Sequence, residues 1–76
     1  MRKVIDSKIM ALVHQDLQTA HEKNPTASDA DTLTAANAAY EAMQRKAMRE
    51  NKPQAYGAMS DAKRYVNRIL NPNYPW

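Results

Sequence analysis

Residues 33–50 read LTAANAAYEAMQRKAMRE, and within them Leu33, Ala36, Tyr40, Met43, Ala47 and Glu50 follow a 3-4-3-4-3 spacing. All but the last are apolar, so one line of the segment repeats with the period of a helix that buries one face. Two heptads are too few for a coiled coil, and the seam therefore belongs inside a small bundle. Ala35, Ala38, Ala39 and Ala42 flank it. Side chains this small let neighbouring helices approach closely, which predicts a central helix touched on more than one side.

Two similar stops bound this region, Glu22-Lys23-Asn24-Pro25 before it and Glu50-Asn51-Lys52-Pro53 after it. Asparagine tolerates the left-handed backbone of a helix end, and proline cannot continue a helix. Upstream, Ile5, Ile9, Leu12, Val13 and Leu17 form an apolar stripe that predicts a first helix over about 3–22. Lys8, Gln15, Gln18, Thr19 and Glu22 then face water. The second helix, over about 29–50, has two candidate starts, Ser28 and Asp31. Either one sets carboxylates beside the positive helix end, worth ~0.3–1 kcal/mol each.

Downstream, Pro53 suits a first helical turn, where its missing N–H costs nothing. Ala55, Tyr56, Met59, Ala62, Val66, Ile69 and Leu70 then carry a third helix over about 54–71. Gly57 weakens its opening turn by ~1 kcal/mol relative to alanine. Residues 72–76, Pro-Asn-Tyr-Pro-Trp, form an irregular tail. The expectation is one all-α domain, 1–71, folded as a small antiparallel three-helix bundle and followed by that tail. A helical hairpin completed by dimerisation is the rival architecture.

Composition agrees. The 76 residues include thirteen alanines and five methionines but one glycine, no phenylalanine, and three each of valine and isoleucine. Such a chain is rich in helix formers and poor in the residues that furnish sheets. It has no cysteine, which excludes disulfides, thiolate metal sites and cysteine nucleophiles. No apolar run approaches the ~18 residues of a membrane span. The basic start is interrupted by Asp6 and Lys8, so no secretory leader is expected and the chain reads as cytoplasmic.

The parts of a catalytic or metal site are missing. His14 and His21 share a helix face but stand ~10.5 Å apart along the axis, too far to chelate one ion. Ser7, Ser28 and Ser60 lack a nucleophile context, and a single glycine builds no phosphate loop. The expectation is therefore a non-enzyme without cofactor or metal.

Charge is more informative. Residues 1–44 carry four basic and six acidic groups, and residues 45–76 carry seven basic and two acidic groups. The candidate partner-binding residues lie in the second part: Arg45, Met48 and Arg49 on the second helix, Lys63, Arg64, Asn67 and Arg68 on the third, and Tyr74 and Trp76 in the tail. Met43 and Met59 sit in apolar stripes and are expected in the core, whereas Met48 lies off the seam and is expected outside. Tyr74 and Trp76 either fold back over the open end of the bundle, the favoured reading, or project as an anchor for a partner.

The function these features favour is a small regulatory or inhibitory module that binds another protein. Two alternatives stand beside it. A nucleic-acid binder would use the basic residues against phosphates and Asn67 against base edges. A self-associating homodimer would use the alanine flanks of the second helix.

Overall fold

The structure is a computed structural model that describes residues 5–71 together with Asn73 and Tyr74. It contains three helices, α1 (Ser7–Lys23), α2 (Asp29–Arg49) and α3 (Pro53–Leu70), packed as an all-α bundle. No helix among the described residues is long and apolar enough to cross a membrane.

Each helix end follows from a few side chains. Asp6 caps α1, its Oδ1 accepting the N–H groups of Lys8 at 2.9 Å and Ile9 at 3.2 Å. The first helix thus starts at Ser7 rather than near Lys3, and Ile5 lies ahead of it, exposed. Of the two candidate starts for α2, Ser28 is the cap, its Oγ accepting the Asp31 N–H at 3.1 Å. Asp29 and Asp31 then occupy the first turn beside the positive helix pole.

The two proline stops turn out to differ. Asn51 has φ 56°, and its N–H donates to the Met48 carbonyl while the Lys52 N–H donates to the Ala47 carbonyl. That pair of bonds is a Schellman closure, and asparagine is among the few residues that hold its left-handed position cheaply. Asn24 ends α1 without a positive φ, donating its own N–H to the Ala20 carbonyl. Pro53 opens α3 as its first residue.

Packing places α3, not α2, at the centre. It runs along α2 and also receives α1, whereas α1 and α2 touch only slightly. Ala35, Ala38, Ala39 and Ala42 are accordingly exposed, against the expectation that neighbours press on several sides of α2. The core cluster is Val13 from α1, Tyr40 from α2, and Ala62, Tyr65 and Val66 from α3. Ile9, Met10, Leu17, Leu33, Met59 and Leu70 pack against it only half-buried. Among the described residues no leucine, isoleucine or methionine is fully buried.

The seam of α2 is rotated from its expected register. Gln44 is buried and Met43 is 53 % exposed, so the inward line reads Tyr40, Gln44, Ala47. Gln44 is accommodated because its amide donates to Ser60 Oγ on α3 at 2.8 Å. A buried amide with a partner is tolerated, and one without would cost ~1–3 kcal/mol. Lys63 approaches Glu41 to 3.9 Å in the same antiparallel pairing of α2 with α3. On α1 and α3, Leu12 and Ile69 are similarly more exposed than their stripes imply, while Tyr65 takes a core position.

Two tyrosine hydroxyls hold α1 in place. Tyr40 Oη donates to Asp16 Oδ2 at 2.8 Å, and Tyr65 Oη accepts the Asp6 backbone N–H at 2.9 Å. Burial, and then the Asp16 carboxylate, push the Tyr40 phenol well above the ordinary tyrosine range.

The folded chain therefore keeps a proton that the unfolded chain releases above about pH 10. Stability falls as pH rises past that value, and denaturant titrations between pH 9 and 12 are expected to show a shallower fall for Tyr40→Phe. Asn37 gives a second expectation, since its buried Oδ1 has no hydrogen-bond partner among the described residues. Asn37→Ala removes that orphan and improves helix propensity, so it should stabilise the fold by about 1 kcal/mol in urea denaturation.

Candidate partner-binding surface

Three of the six exposed large apolar side chains among the described residues lie where α2 hands over to α3, the others being Ile5, Leu12 and Ile69. Met48 is 68 % exposed, Met43 53 % and Tyr56 40 %. Residues 48–57 are exposed without interruption. Both faces of this hairpin end carry a cleft, with the small side chain of Ala47 lining the two. One, of about 340 Å³, is walled by Met48, Pro53 and Tyr56 and includes Asn51 and Lys52. The other, of about 330 Å³, lies between Met43 and Met59 over Ala55 and Ala58, with Lys46 and Glu50 at its edge.

The surrounding field is positive. Lys46, Arg49 and Lys52 stand around a single carboxylate, Glu50, which lies 3.0 Å from Lys52 Nζ and 4.0 Å from Lys46 Nζ. The hydrogen bond from Lys52 first, then the charges of Lys52, Lys46 and Arg49, hold the Glu50 carboxyl below its usual range. Arg45 and Arg49 are exposed, and neither enters an ion pair among the described residues.

The candidates on α3 are arranged differently. Lys63 is half-buried and faces Glu41 across the α2–α3 contact. Arg64 is exposed with Asp61 at 3.7 Å. Asn67 is half-buried, its Nδ2 donating to the Lys63 carbonyl at 2.7 Å, which engages the amide that a base edge would need. Arg68 is exposed near the end of the same helix.

Asn71 begins a turn, its carbonyl and Oδ1 accepting the N–H groups of Tyr74 and Asn73. Tyr74 is half-buried, and Trp76 lies outside the described residues.

The structure thus brings Arg45, Met48 and Arg49 together on one corner. To these it adds Tyr56, while Met43 is exposed at the cleft on the other face; stripe counting assigned both to the interior. Helical spacing admits Gln44 in place of Met43 in the seam, but nothing local to Gln44 marks Ser60 as the partner its amide needs. His14 and His21 are exposed, and no three histidine, cysteine or acidic side chains converge on a common point among the described residues. Comparison of the chain with protein-family models, curated proteins and solved structures yields no match.

Surface and core methionines should separate in a stability measurement. Met43→Ser and Met48→Ser are expected to change unfolding free energy by no more than about 0.5 kcal/mol. Val13→Ala, at a site with no exposure, should cost about 2 kcal/mol through lost transfer energy and a cavity.

Proposed function

We propose that this chain is a non-catalytic binding module, a small regulatory or inhibitory protein that acts by covering part of another protein's surface. The observation that carries this reading is the cleft lined by exposed Met48 and Tyr56 at the hairpin end that also carries Arg45 and Arg49, with Met43 exposed at a second cleft on the other face. Exposed apolar side chains scattered singly need no explanation, but a cluster with a polar rim is characteristic of protein contacts. Tyrosine, methionine and arginine are the types enriched there, and methionine adapts to an irregular partner.

Nucleic-acid binding is the weaker reading. Asn67 and Lys63 are engaged inside the domain, and Glu41 and Glu50 stand among the cations that would meet a phosphate backbone. Self-association has one observation in its favour, the exposure of Ala35, Ala38, Ala39 and Ala42 along α2.

The test is capture from a lysate on immobilised chain, with and without nuclease, beside Met48→Asp/Tyr56→Ser. A protein that survives nuclease treatment and is lost on the double variant supports the reading. Retention that disappears with nuclease, or that the double variant leaves unchanged, overturns it.

A further inference from the structure

We propose that the occupant of the Met48–Tyr56 cleft is an acidic amphipathic helix of the partner, presenting one large apolar anchor and two carboxylates a helical turn apart. This rests on the protein-binding reading above and specifies the chemistry of the partner.

Three observations select that occupant. The first is spacing. Arg45 and Arg49 are one turn apart on α2, ~6 Å along its axis, the same rise that separates carboxylates at i and i+4 of another helix. The second is availability. Lys46 and Lys52 share Glu50, and Lys63 faces Glu41, whereas Arg45 and Arg49 have no ion-pair partner among the described residues. A guanidinium presents a planar fork that matches a carboxylate in two parallel hydrogen bonds, and an exposed pair of them has only water to satisfy it.

The third is the adjacent cleft. Met48 follows Arg45 by three positions, so the two side chains share a ridge of α2. Beyond that ridge Met48, Pro53 and Tyr56 line an open cleft of about 340 Å³, space for a large aliphatic or aromatic side chain. An apolar anchor in a pocket beside charge-paired arginines is the arrangement of a binding hot spot. A nucleic-acid backbone fits less well, because Glu50 and Glu41 interrupt the cations while a continuous row of phosphates needs uninterrupted positive charge.

The discriminating experiment is selection from a displayed library of randomised 18-residue helical peptides on the full chain, followed by fluorescence anisotropy of the strongest peptide. The expected consensus carries two acidic residues four apart with a leucine, phenylalanine or tryptophan between or beside them. Arg45→Ala/Arg49→Ala should weaken that peptide about tenfold or more, the loss of two charge-assisted bonds. Arg45→Glu/Arg49→Glu should select basic peptides instead. Both pairs are at exposed positions, and circular dichroism confirms that the variants remain helical.

Binders without acidic bias, or binders indifferent to both arginine pairs but lost on Met48→Asp, overturn the inference and leave the protein-binding reading intact. No selected binder, together with no protein captured from lysate, overturns both. Tighter binding of a 20-base-pair DNA duplex than of any selected peptide, or dimerisation of the chain that Met48→Asp abolishes, also overturns it.

Discussion

Two buried phenols organise this molecule. With no phenylalanine in the chain and, among the described residues, only Val13 and Val66 as fully buried large side chains, Tyr40 and Tyr65 supply the bulk of the centre. A tyrosine brings ~150–250 Å² of surface to bury, but its hydroxyl must then find a partner. Both find one on or just before α1, at Asp16 and at the Asp6 backbone. The polar requirement of the core therefore helps set where α1 sits: mainly against α3, with its second half beside the first half of α2 and Val13 in the core between the two. The hairpin end beyond it stays uncovered, and that uncovered end is where the apolar and cationic side chains collect.

Much of this was legible in the residues themselves. Stop chemistry at Asn24-Pro25 and Asn51-Pro53, and capping chemistry near Ser28, place the three helices within a few residues of where they lie. The first helix begins later than its apolar pattern implies because a carboxylate cap at Asp6 outweighs a hydrophobic residue at Ile5. Periodicity counts apolar residues and so could not see that Gln44 goes inside. Its burial depends on Ser60, sixteen residues away, and no local pattern carries that pairing. The same shift turned Met43 outward. Similarly, small alanines on α2 permit close neighbours but do not require them, and the chain spends its one close two-sided packing on α3.

The candidate surface divides along the same line. Arg45, Met48 and Arg49 follow from composition and from lying off the seam, since nothing inside the domain competes for them. The α3 candidates depend on what α2 offers, and Glu41 together with the Lys63 carbonyl engages two of them. Tyr56 enters the surface only because the Asn51 closure folds the start of α3 back beside the end of α2.

That closure has a further consequence, for the order in which the structure assembles. Helices α2 and α3 are joined by three residues and share the most extensive contact, so bringing them together loses little chain entropy. The contacts of α1 bridge much longer separations, 24 positions to Tyr40 and 59 to Tyr65. Local contacts form fast and distant ones slowly, so the hairpin is the expected folding nucleus and α1 the element expected to dock last. By the same token the amides of α1 are expected to exchange through partial opening, below the free energy of global unfolding. On this order the α2–α3 corner takes its shape before α1 docks on the opposite side.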